Sequence, residues 1–262
     1  MMTPAEFRSL HRPGEPLVLP NAWDLASARW LHAAGYPAVG TTSLGVAFAA
    51  GRADGAGETA DETLDLARRI VAAGIAVTID IEAGFSDDPG EVGRFAERLA
   101  RLGVVGVNVE DSDATGRLVD PAVAAQKVAA IAAAAPDLYL NARTDAFWIG
   151  GTASAESRTR EARARVHRYL GAGASGIFIP GAISLDVIAS LARDIPAPLN
   201  VLAQPGATVA ELADAGVARV STGSLLFRVA LGAIEAAARG IRDGVDAPAP
   251  VTPSYDEVAG SP

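Results

Sequence analysis

A chain of 262 residues, half of them hydrophobic and 20% charged, has the apolar material for one sizeable core and does not have the composition of a disordered segment. Its 22 basic and 31 acidic residues give a net charge of −9, which repels nucleic-acid phosphates and anionic lipid surfaces, so neither nucleic acid nor membrane is expected as a partner. The lack of cysteine excludes disulfides, thiolate nucleophiles and sulfur-ligated metals, and without a leader-like or membrane-length apolar run the expected compartment is the cytoplasm.

Taken in chain order, the candidate strands are Leu17 to Leu19, Ala38 to Thr42, Ala76 to Asp80, Val105 to Val109, Leu138 to Ala142, Gly176 to Ile179, Leu199 to Leu202 and Arg219 to Thr222. Between and after them the pattern predicts helices near 24–34, 61–73, 89–102, 121–134, 155–171, 184–193, 208–215 and 224–239. A repeated punctuation links the two sets. Helical stretches end at Gly35, Gly74, Gly103, Gly173 and Gly216, where glycine supplies a left-handed cap, and a nearly all-apolar run follows, as in a buried parallel strand. Asp88-Pro89 and Asp120-Pro121 are helix starts with a capping side chain and an early proline. Eight strands alternating with eight helices predict an α/β fold, a single (β/α)8 TIM barrel over residues 1–245. Residues 246–262 carry four of the sixteen prolines and read as an irregular tail.

In such a barrel the active site lies at the C-terminal ends of the strands. There the period of two predicts Thr78, Asp80 and Glu82 on one face and Val77, Ile79 and Ile81 on the other. The next two strands add Asn108 with Glu110 and Asn141 with Arg143. Carboxylates crowded in a pocket of low dielectric repel one another. A hard divalent cation would resolve this, and an all-oxygen set suits Mg2+, or Mn2+, better than zinc. The structural alternative is an ion-pair network of Asp80, Glu110 and Arg143 closing the barrel top, with Asp145 also available to the arginine.

At these residues the chain resembles the isocitrate lyase and phosphoenolpyruvate mutase superfamily, from about Pro20 to about Arg239. The matching pieces are Asn21-Ala22-Trp23-Asp24, Thr41-Thr42-Ser43-Leu44, Asp80-Ile81-Glu82-Ala83-Gly84-Phe85, Val109-Glu110-Asp111 and Asn141-Ala142-Arg143-Thr144-Asp145, each at the end of a predicted strand. The resemblance implies the same barrel fold and a magnesium held by Asp80 directly and by Glu82 and Glu110 largely through waters. It further implies a substrate-carboxylate clamp at Thr42, Ser43 and Leu44, and Asp54 on a loop near the substrate. The reaction it implies is a carbon-carbon lyase acting on a small 2-oxo or hydroxy di- or tricarboxylate, through an enolate stabilised by the metal and Arg143. Relatives commonly exchange their last helix, which implies a homodimer or homotetramer, and the apolar stripe Leu225, Leu226, Val229, Leu231 and Ile234 is compatible with that.

The chain also departs from the family. Isocitrate and methylisocitrate lyases carry a Lys-Lys-Cys-Gly-His loop after strand four, where this chain has Ser112-Asp113-Ala114-Thr115-Gly116-Arg117-Leu118, without cysteine, lysine or histidine. After strand six, where phosphonate enzymes use basic residues, Ile179-Pro180-Gly181-Ala182 is uncharged, which favours a carboxylate substrate. The alternatives are a 2-oxo-acid decarboxylase or hydrolase, a phosphonopyruvate-type carbon-phosphorus enzyme, and a non-catalytic 2-oxo-acid-binding protein. His11, His32 and His167 read as packing or surface residues, Trp23 and Trp30 as core or interface aromatics, and Trp148 as lining the mouth after Arg143. Asn21 and Asp24 read as caps. Asn200 and Gln204, at the end of strand seven, are expected substrate contacts or backbone hydrogen-bonders.

Overall fold

The computed structural model describes residues 1–149 and 151–244, with 253, 257 and 258. The predicted tail therefore lies almost wholly outside the described residues. The strands are β1 (Leu17–Leu19), β2 (Asn21–Ala22), β3 (Val39–Thr41), β4 (Val77–Asp80), β5 (Gly106–Val109), β6 (Tyr139–Arg143), β7 (Gly176–Ile179), β8 (Leu199–Leu202) and β9 (Arg219–Ser221). All pair in parallel, in the order β1-β9-β8-β7-β6-β5-β4-β3-β2. β1 and β2 are one barrel strand interrupted at Pro20, which has no N–H to give to a ladder. Its first half pairs with β9 and its second with β3, so the sheet closes on itself as the predicted eight-stranded barrel.

The helices are α1 (Pro4–Ser9), α2 (Leu25–Ala33), α3 (Ser43–Ala49), α4 (Ala60–Ala72), α5 (Pro89–Leu102), α6 (Pro121–Ala134), α7 (Ala155–Gly171), α8 (Leu185–Asp194), α9 (Val209–Asp214) and α10 (Leu225–Asp243). Eight follow the sequence pattern to within a few residues. In α5 the Asp88 side chain accepts the Gly90 N–H, Pro89 opens the first turn, and Gly103 closes the helix at φ 95°.

Helix α1 was not foreseen, although Thr3 and Glu6 form a capping box around Pro4. Its Phe7 enters the N-terminal end of the barrel and packs with Leu17, Leu19, Ala38, Ala76, Val105 and Tyr139. The main core lies between strands and helices. There Val77, Ile79 and Ile81 are fully buried, so the apolar face of β4 meets the helices as predicted. Each such side chain contributes about 1.5–3 kcal/mol.

Candidate active site

The C-terminal strand ends enclose a cavity of about 300 Å³ whose lining includes Thr42, Ser43, Leu44, Asp54, Asp80, Glu110, Arg143, Asp145 and Arg228. Asp80 is the last residue of β4. Its backbone N–H donates to Thr41 Oγ1 at 2.9 Å, and its Oδ1 accepts the Glu82 N–H at 3.2 Å. Arg143 ends β6 and is clamped on both edges. Its Nη1 lies 2.6 Å from Glu110 Oε2, while Nε and Nη2 donate to the Asp145 carboxylate at 2.5 and 2.9 Å.

Behind the clamp, Ser112 Oγ donates to Asp145 Oδ2 at 2.7 Å, and the Asp145 N–H donates to Asp111 Oδ1 at 2.8 Å. The other Asp111 oxygen accepts from Tyr169 (2.6 Å) and Arg165 (3.1 Å) of α7. The expected ion-pair network therefore exists, but it fixes Arg143 through Glu110 and Asp145 and leaves Asp80 without an ion pair among the described residues.

Burial pushes the Asp80 carboxyl up to about 6, against the pull of Arg143 and the Glu82 N–H, with Asp54 and Glu82 adding repulsion. Glu110 is raised in the same sense by burial, against Arg143, and by Asp145, Asp80 and Asp54. Burial would lower the Arg143 guanidinium, but Glu110, Asp145 and Asp80 outweigh it and hold the group firmly charged. The lining thus carries a surplus of carboxylates over arginines, with only oxygen donors, which fits a hard divalent cation. Among the described residues no group of three or more His, Cys, Asp or Glu side chains could hold an ion unaided. Magnesium bound through one or two carboxylates, completing its shell with water and ligand oxygens, is consistent with that.

Two sequence-predicted residues stand elsewhere. Glu82 does not share the face of Asp80, because β4 ends at Asp80 and Glu82 sits in the left-handed region at φ 50°, where period-two alternation no longer holds. Its buried carboxylate accepts the Gly57 N–H (2.9 Å) and the Thr59 hydroxyl (2.7 Å). It therefore anchors the loop that carries Asp54 and does not border the cavity. Asn200 is 1% exposed and lies beneath the floor, accepting from Ser221 Oγ at 3.1 Å. A side chain one step too deep in the barrel reads identically in sequence to one at its rim.

The remaining expectations sort cleanly. Gln204 takes the backbone role, bonding Ile183 N–H and the Gly181 and Leu202 carbonyls. Asp24 caps α2. Asn21 accepts the Thr222 and Gly223 N–H groups across the barrel seam. Trp148 lines the cavity and is 59% exposed. In the loop after β5, Asp113 Oδ1 accepts from Thr115 and Arg117 of its own turn. Sequence reasoning missed Arg228, in the first turns of α10. Its position one helical turn beyond Ser224, after a barrel strand, was the available signal.

The phosphoenolpyruvate phosphomutase profile matches residues 7–242. The chain belongs to this family. An uncharacterised protein of Mycobacterium tuberculosis is 43% identical over 242 residues, 92% of this family member and 91% of the relative. The 2-methylisocitrate lyase of Halalkalibacterium halodurans is 29% identical, over 74% of this chain and 65% of its own. Among solved structures, a Burkholderia cenocepacia protein provisionally called a phosphonomutase superposes with a TM-score of 0.86 at 39% identity, covering 90% of this chain and 99% of that one. A 2,3-dimethylmalate lyase superposes with a TM-score of 0.82 at 25% identity, covering 100% and 95%. The phosphoenolpyruvate phosphomutase family member described here thus stands in a superfamily of lyases and mutases. Among its described residues no helix is long and apolar enough to cross a membrane.

Proposed function

We propose that this protein is a divalent-metal-dependent, lyase-type enzyme for a small 2-oxo or hydroxy di- or tricarboxylate, with negative charge developing on the 2-oxo oxygen as an enolate. The observation that carries the reading is the convergence of Asp80, Glu110 and the doubly clamped Arg143 on one cavity. A magnesium or manganese ion held by Asp80 and Glu110 would neutralise the carboxylate surplus and stabilise charge on the substrate oxygen.

Three of the five N–H donors of Arg143 are committed to Glu110 and Asp145, which leaves two to meet an oxyanion without reorganisation. The first-turn N–H groups of α3, at Ser43 and Leu44, have no intrahelical acceptor and border the cavity, where they would receive a carboxylate. Arg228 supplies a second cation on the lining, as a diacid requires. Asp54 makes no hydrogen bond or ion pair among the described residues and is the carboxylate placed to move a proton. A homodimer or homotetramer belongs to the same proposal, because Leu225, Val229, Leu231, Ile234 and Ile241 of α10 are exposed.

The self-bonded loop at Asp113 supports a second reading, a 2-oxo-acid-binding protein without turnover, since the Asp113 carboxylate on the lining is engaged by the N–H groups of Thr115 and Arg117 in its own turn. Turnover assays with and without Mg2+ on isocitrate, methylisocitrate, malate derivatives, oxaloacetate and phosphonopyruvate decide between them. Metal-dependent cleavage of a carboxylate is the expected result. Metal-dependent binding without turnover selects the second reading, and phosphonopyruvate turnover alone overturns the carboxylate preference.

A further inference from the structure

The largest fully buried side chain among the described residues is charged. Arg219, on β9, is 0% exposed, and its Nη1 and Nη2 have no hydrogen-bond partner among the described residues. Its Nε donates to Ser221 Oγ at 3.0 Å. Because arginine only donates, that hydroxyl must accept from it and give its own proton to Asn200 Oδ1, at 3.1 Å. The relay fixes the Asn200 amide, and Ser221 itself lines the cavity. Arg219 is therefore joined to the cavity floor through one hydroxyl.

Barrel interiors are ordinarily filled by branched apolar residues. Here the strands also bury the polar side chains of Thr78, Asn141, Asn200 and Arg219, and no carboxylate lies within ion-pair distance of Arg219 among the described residues. Burial lowers its guanidinium to about 10, with Tyr139 and Asp80 opposing, so it stays charged at neutral pH, and Asp80 is the one carboxylate whose field reaches it appreciably. An uncompensated buried cation costs stability. Packing alone does not account for its presence directly under an acidic site.

We propose that Arg219 is a positioning residue that acts by charge: from beneath the floor it weakens the hold of the cavity on a free divalent cation and strengthens its hold on the anion that chelates the cation. The inference rests on the functional reading above and deepens it, since it makes metal and 2-oxo acid bind as partners rather than independently. A unit charge acting on a doubly charged ion across about 10 Å at an effective dielectric of about 20 shifts its binding equilibrium on the order of a hundredfold.

The test uses Mn2+ and oxalate on the whole chain, with Mn2+ affinity read by electron paramagnetic resonance and oxalate affinity by calorimetry at saturating Mn2+. Arg219→Met keeps the volume while removing the charge, and such replacements of buried charges commonly leave folding intact. It is expected to tighten Mn2+ and weaken oxalate, each on the order of a hundredfold, and Arg219→Lys to restore both towards the unaltered protein. A merely structural role would leave both affinities in place or move them in the same direction, and either result in a cooperatively folding Arg219→Met overturns the inference alone. Failure of the unaltered protein to bind oxalate with Mn2+ overturns the functional reading and this inference with it.

Discussion

The two ends of the barrel are built from the same eight strands and opposite chemistries. At the N-terminal end, Phe7 of α1 stoppers the barrel against the apolar Leu17 and Leu19 and against Tyr139, with His11 stacked on that ring. At the C-terminal end, positions a few residues further along the same strands become Asp80, Glu110 and Arg143. Backbone strain follows the same division, since Glu82 and Phe85, the non-glycine residues with positive φ among those described, both lie just beyond β4. The difference teaches that stability and chemistry are separated along the barrel axis, and that a substitution should injure one without the other.

The sharpest way to break this comparison is at the stopper. Phe7→Ala removes a fully buried ring from a closed end and is expected to cost about 3–5 kcal/mol in denaturant unfolding while leaving ligand affinity in the surviving folded protein unchanged. A loss of affinity would mean that the two ends are coupled. Arg143→Gln is the converse. It strips Glu110 and Asp145 of their shared cation and removes the donors facing the cavity, with an expected loss of about 100-fold in turnover or metal-dependent oxalate binding. A variant that still binds oxalate normally would locate the anion elsewhere. Tyr169→Phe sits between these extremes, since its hydroxyl holds Asp111, which holds the Asp145 backbone. One hydrogen bond to a charged acceptor is lost, about 2 kcal/mol of stability, with a smaller drop in affinity than Arg143→Gln gives.

How much of this could be read beforehand depended on whether neighbours in sequence stay neighbours in space. The barrel was legible because strands and helices alternate eight times and glycine caps punctuate five of those helices, and the convergence of Asp80, Glu110 and Arg143 on one cavity was legible because each stands at, or one residue past, the end of a regular strand. Glu82 was misread for the same reason in reverse. Alternation was carried two residues past the end of β4, into a turn whose left-handed backbone swings the carboxylate towards Thr59. Asn200 failed on depth, which periodicity does not report. Asp111 lies just after β5 while Arg165 and Tyr169 share α7, and nothing in local spacing announces a contact 58 residues apart. Arg228 and Arg219 were passed over because a charge in a helix start reads as solvated and a charge in a strand reads as an edge.

The stopper end makes one further prediction, through a group that titrates. His11 is buried among Phe7, Tyr139, Arg8 and Arg219, with its ring stacked on Tyr139 at 4.0 Å and Nδ1 set 2.9 Å from the Phe7 carbonyl. That bond assigns the proton to Nδ1 and leaves Nε2 as a lone pair. Burial and the nearby Arg219 depress its pKa from 6.5 to about 3, with the Phe7 carbonyl opposing. A depressed pKa means that the folded state holds the neutral ring, so its contribution is complete above pH 6.5 and is lost as the pH falls from there towards 3. In that window unfolding takes up one more proton, a slope of up to about 1.4 kcal/mol per pH unit. His11→Gln cannot titrate, so the stability difference between it and the unaltered protein should be flat above pH 6.5 and shrink below it. Parallel curves across that window would show that the ring is not held neutral, and that the stopper end is not as dry as its packing requires.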